Sequence, residues 1–507
     1  MAATNSTSRR HFLRATARAA VASWALGAAV RGAGAAIAPS PQRQNTMRNP
    51  LDRPNIILVN CDDLGFGDLA CYGHPQHLTP HLDRMATEGT RFTSFYMASS
   101  LCSPSRGAML TGCYPRRIGC DGFEGRAVLF PGQGVGLNPS EVTFASLLKN
   151  QGYATQIVGK WHCGDQPAFL PTRHGFDHYY GLPYSNDMGR QVTRENSPPL
   201  PLLLDDAVIE AQPDQASLTQ RYAEQSVRFI RENRDRPFLL YLAHMYVHLP
   251  LYVPQHFLDE SRNGKYGAAV ACIDWAMGVI MHQVRQLGLE HNTLVLFTSD
   301  NGSRNDYGRS NGPLRGTKGT SWDGGFRTPL LAWWPGTVPA GRVSDEVVSA
   351  LDLLPTFATL AGTKAPQDRI IDGRDFAPLL RGEAGARSPR GAFFYYTQDH
   401  LDAVRAGRWK LFVGRRPWTG DAANVRELYD LDRDIGETTN VADRNPDVVA
   451  RLMALVDACR EDLGDGTTRA EGNNRRPIGR VDNPAPLTTY DPDCPYFMAM
   501  YDLNEIG

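Results

Sequence analysis

The stretch Pro54-Asn55-Ile56-Ile57-Leu58-Val59-Asn60-Cys61-Asp62-Asp63-Leu64-Gly65 decides the fold. Asn55 to Val59 is a continuous apolar run, not an alternation of apolar and polar residues. Bounded by Pro54 and by the Asp-Asp-Leu-Gly that follows, it suits a strand buried on both faces, as in a parallel sheet. Thr293-Leu294-Val295-Leu296-Phe297 repeats the design and also ends in acids, at Asp300-Asn301-Gly302. Between the two lie helical patterns over 80–88 and 140–150 and a strand pattern over 237–243. The alternation predicts a doubly wound α/β domain. In such sheets ligands bind beyond the carboxyl ends of the strands, so the two acid clusters are expected to meet at one site.

Composition sets the frame around that domain. The 507 residues carry 53 Lys+Arg against 54 Asp+Glu, and 42% are hydrophobic, which fits a globular protein and not a disordered one. At about 150 residues per domain the length allows about three domains, or one large α/β domain and a small one. Near-zero net charge argues against a nucleic-acid partner. No apolar run of the roughly 18–20 residues that span a bilayer is expected downstream of the N-terminus, hence no stable membrane anchor. Nine cysteines without repeated CxxC spacing make neither a disulfide scaffold nor a zinc site, and the odd count leaves a thiol unpaired.

The ends read differently. Ser8-Arg9-Arg10-His11-Phe12-Leu13 and the Ala/Gly-rich stretch after it resemble a twin-arginine export signal, a receptor-read address and not an anchor. Export to a bacterial periplasm is the expectation, with a basic disordered tail as the alternative. From 373 to 391 the chain turns Arg-, Gly- and Pro-rich, as a connection would. Strand-like runs at 393–397 and 409–413 and a helix over 448–461 then predict a small antiparallel sheet with a helix packed on it. The expected division is a signal segment 1–38, a linker 39–53, a large domain 54–385, and a small α+β domain with tail, 386–507.

Asp62, Asp63 and Asp300 offer carboxylates and Asn301 an amide oxygen, a hard donor set suited to Ca²⁺ or Mg²⁺ better than zinc. Adjacent aspartates also cap turns. In Leu101-Cys102-Ser103-Pro104-Ser105-Arg106-Gly107, Pro104 suits the first turn of a helix. Cys102 then sits at the helix N-terminus, where an anion is favoured, and Arg106 adds a forked donor one turn on. An ordinary free cysteine beside a helix reads the same way. Taken alone, Lys160-Trp161-His162 reads as surface charge at a strand end and His248 as a turn histidine. His74 and His244 are assigned to structure.

The run C-x-P-S-R-x-x-x-L-T-G from Cys102 to Gly112 resembles the signature of type I sulfatases. Gly159-Lys160-Trp161-His162, Leu182-Pro183-Tyr184-Ser185-Asn186-Asp187, Val247-His248-Leu249-Pro250 and Ser299-Asp300-Asn301-Gly302 follow in that family's order. So do Leu314-Arg315-Gly316-Thr317-Lys318-Gly319-Thr320, Trp322-Asp323-Gly324-Gly325 and Glu427-Leu428-Tyr429-Asp430-Leu431. The likeness spans about 53–442 and leans to the arylsulfatase A and N-acetylgalactosamine-6-sulfatase branch.

The resemblance implies an alkaline-phosphatase-like fold, with a large, mostly parallel mixed sheet flanked by helices, and a sulfuric ester hydrolase. It implies that a maturation enzyme oxidises Cys102 to formylglycine (3-oxoalanine), before any export of folded protein. One divalent cation, Ca²⁺ in preference to Mg²⁺, would be held by Asp62, Asp63, Asp300, Asn301 and an oxygen at position 102. Lys160, Lys318, His248 and Ser185 would face a sulfated carbohydrate or aryl sulfate, and Arg106 would orient the aldehyde hydrate. One hydroxyl of that hydrate attacks sulfur to give a covalent sulfate intermediate, and His162 deprotonates the second to release sulfate. His248 and Lys318 would attend the leaving oxygen. The competing reading is a phosphomonoester or phosphodiester hydrolase of the same fold; a third is a binding protein without activity. Tyr114, Phe123, Tyr179, Tyr180 and Trp322 fit a sugar-facing role and core packing equally well.

Overall fold

The computed structural model describes residues 53–191, 194–416 and 423–496, which belong to one compact unit. The 1–38 signal segment and all but the last residue of the 39–53 linker lie outside them. The main sheet has eleven strands among the described residues. At its centre Asn55–Cys61 lies between Thr293–Ser299 and Phe238–Ala243, parallel to both, and Ala154–Gly159 and His178–Gly181 extend the parallel set. Arg327–Trp333 runs antiparallel between Thr293–Ser299 and Thr90–Tyr96, and Pro201–Leu204 with Ala207–Ala211 closes the other edge as a hairpin. The sheet is therefore mixed and mostly parallel.

The continuous apolar runs follow from burial on both faces. Every residue of Asn55–Cys61 is buried. Ile57 and Val59 pack into one layer with Val295, Phe297, Leu240 and Leu242. Ile56 and Leu58 pack into the other with Leu294, Leu296, Leu239 and Tyr241. Successive side chains point to opposite faces, so each of the four consecutive positions Ile56 to Val59 is apolar, and polar Asn55 and Asn60 flank them.

The expected helix over 80–88 forms as Pro80–Glu88. That over 140–150 is shorter, Phe144–Asn150, because Thr143 caps it: Thr143 Oγ1 accepts from Ser146 N, and Ser146 Oγ from Thr143 N, both at 3.0 Å. The hydropathy expectation needs one correction. Gly264–Gln286 is long and apolar enough, by length and composition, to cross a membrane, yet 72% of its most apolar window is buried in the core. A helix apolar on nearly all sides is what a core helix looks like.

The second sheet has four strands in the order Phe393–Thr397, His400–Ala406, Trp409–Arg415 and Ala423–Asp430, all antiparallel. Pro446–Leu463 packs on it, two residues longer at each end than its sequence pattern. This sheet shares a core with the large one: Tyr96, Ala108, Trp322, Phe326 and Leu351 pack with Phe393, Tyr395, Leu411 and Phe412. The 373–391 segment carries a short helix, Ala377–Leu380, with Leu379 and Leu380 buried. In the tail, Gly479–Arg480 pairs with Val135–Gly136.

Candidate active site

The register of the central strands assembles the site. Cys61 pairs with Ser299, so Asp62 and Asp300 leave the sheet side by side, and Asp300 N donates to Cys61 O at 3.0 Å. Gly159 pairs with Ala243, and Lys160 N donates to Ala243 O at 2.7 Å. That approach requires glycine at 159: φ is +107° and a Cβ would stand 2.0 Å from Ala243 O. Asp63 and His162 adopt φ of 61° and 58°, a left-handed conformation costly for non-glycine residues and kept where the surroundings enforce it. Cys102 is the first residue of the helix Cys102–Thr111, and all ten residues of that helix are buried.

Three cations face three carboxylates, all six buried. Lys160 Nζ lies 2.5 Å from Asp62 Oδ2, and Lys318 Nζ 2.9 Å from Asp63 Oδ2. Arg106 donates from Nε to Asp300 Oδ2 at 2.8 Å and from Nη1 to Lys160 O at 2.9 Å, while Nη2 is 2.8 Å from Asp300 Oδ2 and 3.8 Å from Asp62 Oδ2. The fork thus spends Nε on Asp300 and Nη1 on a carbonyl, while Nη2 makes ion-pair contacts without a hydrogen bond, and it orients the site's own carboxylate. Burial would raise the Asp62 carboxyl, but Lys160, and after it His248 and Arg106, hold it well below the usual range. Burial likewise works against the Lys318 cation, and Asp63 outweighs it, raising Lys318.

The two histidines have defined tautomers. His162 Nε2 lies 3.0 Å from Leu129 O, and a carbonyl only accepts, so Nε2 carries the hydrogen. His162 Nδ1 is buried with no hydrogen-bond partner, and burial followed by the Lys160 charge lowers the ring's pKa well below its ordinary value. A neutral ring with a fixed, unused lone pair is a base in waiting. His248 Nδ1 donates to Leu249 O at 2.5 Å, which leaves Nε2 3.3 Å from Ser185 Oγ and 3.9 Å from Asp63 Oδ2. Ser185 Oγ also accepts from Lys160 Nζ at 3.1 Å. Burial raises the Cys102 thiol more than Lys160 and Lys318 lower it. Burial thus disfavours the thiolate form of an unmodified Cys102.

The donor set fits a hard cation. Asp62 Oδ1 and Asn301 Oδ1 are buried without a hydrogen-bond partner, while Asn301 Nδ2 donates to Asp63 Oδ1 at 2.7 Å. The oxygen donors of four residues thus stand at the ends of two neighbouring strands, two of them unspent, a donor set that suits oxygen-only coordination. Asp62, Asp63 and His248 also bring ligand atoms within 4.8 Å of one another. Asp68, His74 and His77 make a second buried group. There the imidazoles stack at 3.4 Å and 11°, so their in-plane lone pairs run parallel and do not converge.

The structure brings together Asp62, Asp63, Cys102, Arg106, Lys160, His162, Ser185, His248, Asp300, Asn301 and Lys318. His74 lies in the stacked pair. Buried His244 accepts from Tyr246 N through Nδ1 at 3.0 Å. Tyr114, Phe123, Tyr179, Tyr180 and Trp322 are buried. Sequence reading misses the Leu129 and Leu249 carbonyls, since a backbone acceptor has no residue signature. It also misses Ser103, whose Oγ accepts from Leu129 N at 3.1 Å and ties that carbonyl to the Cys102 helix. The nine cysteines are all free thiols.

The sulfatase family model matches residues 54–363, and the model of the N-sulphoglucosamine sulphohydrolase C-terminal region matches 317–462. N-acetylgalactosamine-6-sulfatase of Canis lupus familiaris is 41% identical over 431 residues, covering 82% of this chain and 79% of its own. Arylsulfatase A of Homo sapiens is 40% identical over 447 residues, covering 79% and 87%. Among solved structures, the PsFucS1 sulfatase from Pseudoalteromonas sp. superposes with a TM-score of 0.74 at 26% identity, over 84% of this chain and 92% of that one.

Proposed function

This chain belongs to the sulfatase family of enzymes, and on that premise we propose that it hydrolyses the sulfuric ester of a sulfated sugar or an aryl alcohol, releasing inorganic sulfate. The observation that carries the reading is the buried, balanced set of three cations and three carboxylates around Cys102. A sulfate monoester is anionic and must be neutralised before a nucleophile approaches sulfur. Lys160 and Lys318 supply fixed positive charge for the sulfate oxygens. Asp62, Asp63, Asp300 and Asn301 would hold a divalent cation, Ca²⁺ in preference to Mg²⁺, which adds the charge that makes the site net attractive to an anion. Cys102 is the precursor of formylglycine; hydrated, that group supplies two hydroxyls on one carbon, one to attack sulfur and one to let sulfate leave.

The remaining groups position atoms and move protons. Arg106 fixes Asp300. His162 Nδ1, with its tautomer set by Leu129 O, accepts the proton of the second hydroxyl. His248 and Lys318 face the leaving oxygen, one of them supplying its proton, and Ser185 links His248 to Lys160. Maturation requires an oxidising enzyme acting on Cys102 before the chain folds. The twin-arginine-like segment at Ser8 to Leu13 supports export to a periplasm after that step.

Mass spectrometry of the peptide containing Cys102 should show oxygen in place of sulfur, and an intact thiol in active protein would defeat the nucleophile. Nitrophenyl sulfate should turn over far faster than nitrophenyl phosphate; the reverse preference would make the protein a phosphohydrolase. Cys102→Ala should abolish turnover of both.

A further inference from the structure

A second buried charge cluster lies where the small sheet meets the loop that carries Lys318. Lys318 sits in a tight turn: Thr320 N donates to Thr317 O at 3.1 Å, and Thr317 N to Thr320 Oγ1 at 3.2 Å. Lys318 N donates to Ser303 O and Gly319 N to Ser100 O, both at 3.0 Å, so the turn touches the loops bearing Asn301 and Cys102. Its root is the next residue, Ser321. There Lys410 Nζ, from the strand Trp409–Arg415, donates to Ser321 O at 2.9 Å, to Asp323 Oδ1 at 3.0 Å, and pairs with Glu437 Oε1 at 2.7 Å.

Glu437 Oε2 in turn accepts from Asp323 N at 2.8 Å, and Asp323 accepts from Tyr96 and Tyr395 hydroxyls at 2.6 and 3.1 Å. Lys410 lies 4.0 Å from the Tyr395 ring centroid and 4.8 Å from that of Phe412. Lys410, Asp323 and Glu437 are wholly buried. An ammonium has three protons to donate; two go to the loop, at Ser321 O and Asp323 Oδ1, and the ion pair with Glu437 holds the cation against the carboxylate that grips Asp323 N. A buried ion cluster of this kind is a poor source of stability compared with an apolar core of equal volume. What it supplies is fixed geometry at Ser321 and Asp323.

We propose that Lys410 is a positioning residue for catalysis, through which the small C-terminal sheet holds the Lys318 turn at the reacting centre. The inference rests on the reading of Lys318 as a group that faces the leaving oxygen. If Lys318 is displaced, esters of weakly acidic phenols suffer most, because their leaving oxygen needs the most help.

The test measures kcat/KM on aryl sulfates whose phenols span a range of acidity, in the full-length matured enzyme. Lys318→Ala should steepen the dependence on leaving-group acidity; an unchanged slope would overturn the reading of Lys318 and the proposal with it. Lys410→Met keeps the packing between Tyr395 and Phe412 and removes the donors. It should steepen the slope in the same direction, with a loss of about 100-fold on phenyl sulfate and about tenfold on nitrophenyl sulfate, as expected for an ångström-scale misplacement. Leu452→Ala, in the helix that packs on the same sheet, should lower the melting temperature and leave the slope alone. If Lys318→Ala steepens the slope and Lys410→Met does not, Lys410 has no positioning role. Should Lys410→Met fail to fold, Glu437→Gln should give a smaller change of the same sign, and a wild-type slope there would overturn the proposal equally.

Discussion

Arg106→Lys keeps a positive charge beside Asp300 and removes the planar fork, so it isolates what the fork contributes. In the native site Arg106 is wholly buried and contacts Asp300 through Nε and Nη2, and the Lys160 carbonyl through Nη1, at 2.8 to 2.9 Å. A lysine places one nitrogen and keeps one contact to Asp300. The charge-assisted hydrogen bond to the Lys160 carbonyl is lost, at roughly 1.5–3 kcal/mol, together with the Nη2 ion-pair contact to Asp300, and the Lys160 carbonyl is left buried and unpaired. The expected loss is about 3 kcal/mol, which for a chain of this size corresponds to a fall in Tm of about 3 °C. Calorimetric scans at one fixed rate measure it, since a protein this large can unfold irreversibly. Activity should fall about 100-fold as Asp300 drifts. A Tm within 1 °C of wild type (roughly 1 kcal/mol) together with full activity would refute the view that the guanidinium geometry holds Asp300 in place.

Gly302→Ala should abolish activity or soluble expression, because a Cβ there would lie 1.7 Å from Gly324 O; a fully active variant, checked by circular dichroism and turnover, would contradict the packing. Chelation with EDTA should lower both Tm and turnover, and Ca²⁺ should restore them better than Mg²⁺; indifference to chelation would remove the cation from the site. Asp274 accepts from Leu82 N at 2.8 Å and His81 N at 3.2 Å, and burial pushes its carboxyl up to about 7. Its folded pKa exceeds its unfolded one, so its contribution is present at low pH and is lost as pH rises from about 4 through 7. Asp274→Asn should therefore gain Tm relative to wild type between pH 5 and 8, by an amount worth at most about 4 kcal/mol. Parallel pH curves for the two proteins would refute it.

The central strands are legible because burial on both faces leaves a local mark: Asn55 to Val59 and Thr293 to Phe297 have no polar side to interrupt them. The acid pairs that follow are legible as oxygen donors, and Pro104 marks the start of the Cys102 helix. His400–Ala406 and Ala423–Asp430 are not, because Asp402, Arg405, Glu427 and Asp430 carry charge into the small sheet and break the apolar pattern. Residue type alone determined which chemistry Asp62, Asp63, Cys102, Lys160, His162, His248, Asp300, Asn301 and Lys318 offer, and where each stands relative to its own strand or helix. Only the tertiary structure decided that Cys61 faces Ser299, that Leu129 O sets the His162 tautomer, and that Lys410 grips Ser321 and Asp323. Periodicity and side-chain chemistry act within a few residues, whereas these contacts join segments from 33 to 238 residues apart, and strand register and core packing alone bring them together.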